Sequence, residues 1–213
     1  TVIIPVKDEP ATEKVTRKVI RALPNCCVIV IYKGEVKLNF KHSKLRVIKQ
    51  TAIGGKGAAC VQAGKYVNTK IMCFIDGDDT YEVEDLKKVI ALVRKGADMA
   101  LGDRMSRITE KVMPKYVQLG NMVLTMTGNL VFGLRIRDSQ TGLRAIRTEV
   151  FRSLNLKERF FGIEEEMNIH CKRKNLKIEE TSAKYYVRVG VSKQFKMIDG
   201  FKLFLINFRH LLD

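Results

Sequence analysis

Short apolar runs alternate with longer amphipathic segments along the first hundred residues. Most of the runs are β-branched and continuous, which predicts strands buried on both faces at residues 1–6, 27–31, 44–50, 70–75 and 97–102. Residues 82–96 carry apolar side chains at helical spacing and end on a glycine, which predicts a helix. Strands that alternate with helices predict an α/β fold, with a mainly parallel central sheet and helices on both faces.

The second half of the chain has a different pattern. Residues 116–134 carry no charge, but Gln118, Asn121 and Asn129 interrupt the apolar sequence. A membrane-spanning helix needs about 20 predominantly apolar residues. The pattern therefore favours a core or membrane-interface helix over residues 114–133. After a short segment at 142–151, the sequence predicts a helix at 162–174, paired strands or a hairpin at 176–193, and an apolar helix at 197–213. No linker-like stretch or repeat is visible, so we expect one domain over residues 1–213.

The composition limits the chemical class of partner that the protein can bind. Lys and Arg number 39 against 23 Asp and Glu, a formal charge of +16, which implies an anionic partner: nucleic acid, a phosphorylated ligand or an acidic membrane surface. The five cysteines form no C-x-x-C pair, so we expect reduced, mostly buried thiols rather than a zinc site or a disulfide scaffold. No signal peptide is visible. Thr1 already lies in a predicted strand, so a natural start before Thr1 is kept as an alternative.

Four acids follow the predicted strand at 70–75 directly. In open α/β sheets, ligands bind beyond the carboxyl ends of the strands, and the spacing of Asp76 and Asp78 lets both carboxylates converge on one side. Mg²⁺ is often held by one or two carboxylates together with substrate phosphates. We therefore predict a metal–diphosphate site at Asp76 and Asp78. For Asp79 and Glu82 we favour a solvated helix start, where acids are stabilised anyway.

Seven short motifs carry a resemblance to a known family. In chain order they are TVIIPVKDE, GGKGAA, FIDGDDTY, LGDRMS, DSQTGLRAIR, FFGIEEEM and YYVRVGVSK. Together they resemble family 2 glycosyltransferases of the GT-A fold, specifically the polyprenyl-phosphate (dolichol-phosphate) mannose or glucose synthase group. The sequence departs from the family at residues 32–34, where Tyr-Lys-Gly replaces acids that contact the nucleotide. Lys7 and Asp8 replace a Tyr and an Asn, and Thr80 stands at the third metal position, so the nucleotide's identity stays open.

The resemblance implies a reaction. It is inverting transfer of a hexose, mannose or glucose, from a GDP- or UDP-linked sugar to a polyprenyl (dolichyl) phosphate, with Mg²⁺ or Mn²⁺ as cofactor. Both the leaving nucleoside diphosphate and the acceptor are anions, which fits the charge of +16. A cation can neutralise the leaving diphosphate. The phosphate acceptor is already ionised near neutral pH, so no general base is assigned.

The resemblance also implies roles for individual residues. Arg104 would grip the acceptor phosphate through its bidentate fork; a surface arginine is the alternative. Lys56 and Gly57 lie on a turn that opens a helix, a natural anion site. Glu164 and Glu166 would contact the sugar or order Arg144; the alternative is that they are solvated acids at a helix start. The implied catalytic residues are Asp78, Arg104, Arg144, Glu164 and Glu166. The other implied binding residues are Pro5 and Glu9 at the nucleotide edge; Asp76 at the metal; Asp138, Thr141, Gly142 and Arg144 at the acceptor and sugar pocket; and Arg188, Ser192 and Lys193 over the diphosphate.

A lipid acceptor implies a membrane. Helices 114–133 and 197–213 are the candidate interface helices, and nearby lysines could bind anionic headgroups. We expect peripheral attachment to the cytoplasmic face, or attachment through segments beyond this chain. A basic edge strand is the alternative for residues 185–193, and His170 is expected to face solvent.

Three other functions stay open. One is a GT-A glycosyltransferase that acts on a soluble acceptor, a sugar-phosphoglycerate or a polysaccharide. Another is a nucleotidyltransferase, whose metal site can look alike. The third is a basic nucleic-acid-binding protein. The aromatic fraction is only 8% and no basic stripe is interleaved with aromatics, so we expect no specific nucleic-acid partner.

Overall fold

The computed structural model describes residues 1–187 of the chain. The predicted helix 197–213 and the binding residues Arg188, Ser192 and Lys193 lie outside these residues. The strands are β1 (Val2–Lys7), β2 (Val28–Lys33), β3 (Leu45–Lys49), β4 (Ile71–Phe74), β5 (Met99–Asp103), β6 (Arg144–Arg147) and β7 (Ile178–Ser182). The α-helices are α1 (Thr12–Ala22), α2 (Lys56–Gly64), α3 (Asp85–Arg94), α4 (Lys115–Phe132), α5 (Thr148–Ser153) and α6 (Ile163–Arg173).

The strands form one sheet in the order β3-β2-β1-β4-β6-β5-β7. Successive side chains of β1 and β2 alternate between two apolar clusters. One cluster packs beneath α2, α5 and α6, and the other packs beneath α1 and α3. This arrangement confirms the α/β fold with helices on both faces and explains why the strands read as continuous apolar runs.

Strand β6 is the exception to the parallel sheet. It runs antiparallel to both of its neighbours, β4 and β5. Its amino end therefore lies at the same edge of the sheet as the carboxyl ends of those strands, and Arg144 is paired with Phe74 and Leu101. This brings the loop 138–143 next to the acids that follow β4.

The expected paired strands or hairpin at 176–193 lie only partly within the described residues. Strand β7 pairs in parallel with β5, and Tyr185 forms an isolated antiparallel bridge with Tyr81. The expectation of reduced thiols fits, because all five cysteines are free and Cys60, Cys73 and Cys171 are buried. Burial raises the pKa of each of these three thiols to about 12. Within residues 1–187, no helix is long and apolar enough to cross a membrane.

Candidate active site

A cleft of about 670 Å³ lies at the carboxyl edge of the sheet. Its walls differ in character. One side is polar and includes Lys7, Lys33 and Gln50, with Pro5 and Glu9 alongside. The floor carries Lys56, Asp76 and Asp78. The other side includes Arg104 and Gln140 and a set of apolar residues, namely Val112, Met113, Pro114, Tyr116, Val117 and Val187. Phe160 lies against Gly55, next to the turn that Lys33 and Gln50 contact, and Phe161 follows it.

Lys56 joins two acids on the floor of the cleft. Its Nζ lies 2.6 Å from Asp76 Oδ1 and 2.7 Å from Glu164 Oε1. Burial by itself would lower the pKa of Lys56, but attraction to the carboxylates of Asp76 and Glu164 outweighs it and raises the pKa well above its ordinary value. Lys56 therefore remains a cation between two carboxylates, and the second oxygen of Glu164 is buried without a hydrogen-bond partner among the described residues.

Gly142 gives Asp76 its room. A Cβ atom at this position would lie 2.4 Å from Asp76 Oδ2, which no real side chain allows. The amide of Gly142 donates to the hydroxyl of Tyr81 at 2.8 Å, and the hydroxyl of Thr141 donates to the carbonyl of Gly102 at 2.7 Å. Thr141 and Gly142 thus shape the floor without lining the cleft themselves.

The remaining acids after β4 have separate partners. Asp78 is buried and accepts a hydrogen bond from the hydroxyl of Thr80 at 2.7 Å. Asp79 differs from the expected solvated helix start, because its carboxylate pairs with Lys14 and Lys18 of α1 at 2.7 and 2.6 Å. Glu82 accepts a hydrogen bond from the Tyr186 hydroxyl at 3.0 Å.

The donor set at Asp76 and Asp78 fits a divalent cation that is shared with a phosphorylated ligand. Residues 1–187 contain no group of three His, Cys, Asp or Glu side chains that could hold a metal by themselves. Two carboxylates in an open cleft match the way Mg²⁺ is bound together with substrate phosphates. The room left by Gly142 keeps Asp76 accessible to such a ligand.

Arg104 lines the cleft, but its fork is already engaged. Its Nε and Nη2 donate to the two oxygens of Asp138 at 2.7 and 2.8 Å, and its backbone amide donates to Asp138 as well. Burial lowers the pKa of Arg104, but Asp138 more than compensates and raises it. The guanidinium also lies 5.2 Å from the ring centroid of Tyr185. An acceptor phosphate would therefore meet an arginine already oriented by a buried carboxylate.

The structure does not bring Arg144 or Glu166 into the cleft. Arg144 is fully buried, and its guanidinium donates to the carbonyls of Ser139, Thr141 and Glu164 and to the side chain of Asn168. Burial lowers its pKa. These contacts hold the loop 138–143 to α6, so the geometry makes Arg144 a support for the pocket rather than part of its wall.

Glu166 and the turn before α2 both contact the segment 157–160. Glu166 accepts hydrogen bonds from the amides of Lys157 and Glu158 at 2.8 Å. The amides of Gly57 and Ala58 donate to carbonyls of residues 159–160. The expected backbone anion site at this turn is therefore not met, because these amides are occupied by the chain itself.

Two residues near the cleft were missed by the sequence analysis. Gln140 lines the cleft, and Glu165, between the two acids chosen from the motif, is fully buried beside it. No helical spacing distinguishes Glu165 from its neighbours, because three consecutive acids at a helix start all read alike. His170, expected to face solvent, is partly buried and lies 2.7 Å from the carbonyl of Leu154.

The fold is that of the GT-A glycosyltransferases. The solved structure of glucosyl-3-phosphoglycerate synthase from Mycobacterium tuberculosis with Mn²⁺, UDP-glucose and phosphoglyceric acid superposes with a TM-score of 0.72 over 99% of this chain and 78% of that one, at 16% identity. The same enzyme has also been crystallised with Mg²⁺ and UDP.

Sequence relatives give the family. The sequence model of Glycosyl transferase family 2 matches residues 1–154, and the chain belongs to this family. Glycosyltransferase AglJ of Haloferax volcanii is 30% identical over 135 residues, 63% of this chain and 45% of the relative. A dolichyl-phosphate hexose transferase of the same organism is 30% identical over 148 residues, 70% of this chain and 64% of the relative. The chain thus spans about half to two thirds of the length of these relatives.

Proposed function

We propose that this glycosyltransferase transfers a hexose, with inversion, from a nucleoside diphosphate sugar to a polyprenyl phosphate at a membrane surface. The observation that carries the proposal is the two-sided cleft. Its polar side and acidic floor suit a sugar nucleotide, and its apolar side lies directly beside Arg104. An acceptor with a phosphate head and a hydrocarbon tail has the same two-sided chemistry. The dolichyl-phosphate hexose transferase among its relatives supports the same acceptor class.

Binding of the sugar donor is assigned to charged residues on the floor and polar side of the cleft. Asp76 and Asp78 would hold Mg²⁺ or Mn²⁺, which would neutralise the leaving diphosphate. Lys56 fixes the direction of the Asp76 carboxylate from below. Lys7 and Lys33 stand where the family's nucleotide-contacting polar residues would be, and both line the cleft. This side is compatible with either GDP or UDP.

The acceptor side rests on Arg104 and the apolar wall. Asp138 holds the guanidinium of Arg104 in one orientation, which prepares it to meet a phosphate oxygen. Met113, Tyr116 and Val117 begin the apolar wall at the start of α4. The first units of a polyprenyl chain would leave the cleft across this wall.

Helix α4 supports attachment to a membrane. Its polar residues Asn121 and Thr125 are buried, whereas large apolar residues are exposed along the opposite side: Tyr116, Leu119, Met122, Val123, Met126 and Leu130. This is the reverse of an ordinary surface helix. The charges near its two ends are mostly basic, with Arg107, Lys111 and Lys115 at one end and Arg135 and Arg137 at the other. An apolar helix side flanked by basic residues suits an anionic lipid surface.

A soluble acceptor is the second candidate. It is favoured by the fold match to an enzyme crystallised with phosphoglyceric acid, a small anion that would need Arg104 but not the apolar wall. The two candidates share the donor side and differ only beyond Arg104.

A transfer assay separates the two. The protein is incubated with Mg²⁺ or Mn²⁺, a panel of GDP- and UDP-sugars, and either a short polyprenyl phosphate or 3-phosphoglycerate, with Asp78→Ala as control. We expect metal-dependent lipid-linked product that is lost in the control. Product on phosphoglycerate alone would replace the lipid by a soluble acceptor, and release of pyrophosphate would indicate a nucleotidyltransferase instead.

A further inference from the structure

The buried side of α4 meets the cleft through a polar network. The hydroxyl of Thr125 on α4 donates to Ser139 Oγ at 3.2 Å, and the amide of Ser139 donates back to Thr125 at 3.1 Å. The side-chain amide of Gln140 donates to Ser139 Oγ at 3.0 Å. The loop 138–143 is therefore tied to α4 on one side and carries a cleft-lining side chain, Gln140, on the other.

Glu165 of α6 lies at the centre of this network. Its side chain is fully buried, and Oε2 accepts a hydrogen bond from Gln140 Nε2 at 2.9 Å. Oε1 has no hydrogen-bond partner among the described residues and lies against α4, where a Cβ at Gly128 would come within 2.7 Å of it. Helix α4 thus approaches this carboxyl as closely as a glycine permits.

The surroundings of Glu165 leave its charge finely balanced. Burial raises its pKa to about 7, whereas the nearby polar side chains of Ser139, Gln140 and Asn168 and the charge of Arg144 lower it. Arg144 on β6 is the charged group that acts on it, while its contacts from α4 and from the loop are neutral. The hydrogen bond from Gln140 is stronger to a carboxylate than to a neutral acid.

We propose that Glu165 is a positioning residue that holds Gln140 in place on the acceptor side of the cleft and links that side chain to α4. The proposal rests on the proposed function only in that Gln140 would face the acceptor. Removal of the carboxyl frees the Gln140 side chain and loosens the contact with α4. Ionisation of the carboxyl strengthens its hydrogen bond with Gln140 and holds that side chain more firmly. We therefore expect the wild-type KM for the acceptor to fall as the pH rises from 6 to 8.

Hydrogen exchange tests the link without any substrate. Glu165→Met removes the acceptor atoms at similar volume, Glu165→Gln keeps one of them, and Glu149→Gln on the exposed side of α5 is the matched control. We expect faster exchange in peptides covering residues 121–132 and 138–143 for Glu165→Met, a smaller increase for Glu165→Gln, and none for Glu149→Gln. Unchanged exchange in both Glu165 variants would overturn the proposal, whatever acceptor the enzyme uses.

A double-mutant cycle tests the positioning role with the acceptor that the wild type uses. We expect Glu165→Met to raise the acceptor KM about 10-fold, as loss of one charge-assisted hydrogen bond would, with the donor KM unchanged. In a Gln140→Ala background the same change should have no further effect, and Glu165→Gln should flatten the pH dependence of the acceptor KM. Additive effects would mean that Glu165 does not act through Gln140 and would overturn the proposal. Absence of lipid product from the wild type would refute the proposed function alone.

Discussion

The two halves of this sheet are built in opposite ways. In residues 1–98, the charged residues that are buried as a whole are Asp78 and Asp85, whereas Lys56 and Asp79 have mostly covered side chains, and the strands are packed by apolar residues. In residues 99–187, the buried charged side chains are Asp103, Arg104, Asp138, Arg144, Glu164, Glu165 and Glu166. In the first half, the polar groups lie at the edge of an apolar core. In the second half, charged and polar groups lie inside the core and form a buried polar frame.

In the first half, the residues proposed for the reaction are therefore separate from those that stabilise the fold. In the second half, the same residues have both roles. Asp78 accepts hydrogen bonds from the amide and hydroxyl of Thr80, within its own turn. By contrast, the carboxylate that orients Arg104 also belongs to the buried polar frame. A buried polar network stabilises the fold only while every member has its partner. We therefore expect substitutions in the second half to affect folding and activity together.

The largest effect is expected at Arg144. Arg144→Met removes five hydrogen bonds, among them the two that Arg144 donates to the buried carbonyl of Thr141. We expect a loss of about 3–5 kcal/mol in the free energy of unfolding, measured by urea denaturation. Arg94→Met, on the exposed end of α3, is the control and should stay within about 0.5 kcal/mol. Equal midpoints for the two variants would refute the idea of a polar frame in the second half.

The next effect is a pH dependence of stability that originates at Glu165. Its pKa is about 7 in the folded protein against an ordinary 4.5, so the folded state binds the proton more tightly than the unfolded chain. The full stability is present below pH 4.5 and is lost as the pH rises through 7, by about 3 kcal/mol. Urea denaturation from pH 5 to 9 measures this loss, and Glu165→Gln should remove most of it. A wild-type curve that Glu165→Gln leaves unchanged would contradict the assignment.

A matched pair of substitutions tests the separation directly. Asp78→Asn in the first half should lower sugar transfer about 100-fold, because the proposed function places this carboxylate at the leaving diphosphate, while stability changes by less than about 1 kcal/mol. Asp138→Asn in the second half breaks the ion pair with buried Arg104 and should cost about 3 kcal/mol as well as activity. Transfer rates and urea midpoints of both variants give the answer. If Asp78→Asn proves as destabilising as Asp138→Asn, the two halves do not differ.

The same difference explains what the sequence could predict. Continuous apolar runs predicted β1, β2, β4 and β5, because packing in the first half follows residue type. Strand β3 was also expected to be buried on both faces, but it is an edge strand with Arg46, Val47 and Lys49 exposed. The sequence also placed Asp76 and Asp78 just beyond β4, and both line the cleft. Neither the antiparallel direction of β6 nor the partner of β7 follows from apolar spacing.

The roles of individual polar residues in the second half were equally hidden. Glu164, Glu165 and Glu166 read alike in the sequence, yet they contact Lys56, Gln140 and the amides at 157–158, respectively. Only the close approach of three separate segments assigns each carboxyl its partner. Local patterns contain no information about such long-range contacts.

The smallest effect is expected on the exposed side of α4, an apolar surface that the described part of the fold does not use. Met122→Ser with Met126→Ser removes two side chains that are each about half exposed, so stability should hardly change. If this side enters a lipid surface, each loss removes roughly 1 kcal/mol of apolar burial, and the two together should weaken binding to anionic vesicles about 30-fold. Val47→Ser, on the sheet edge at β3, is the control because its side chain is similarly exposed. Co-sedimentation with vesicles, with and without anionic lipid, measures the effect. Equal binding by the α4 double variant and the Val47 control would mean that α4 is not the membrane contact.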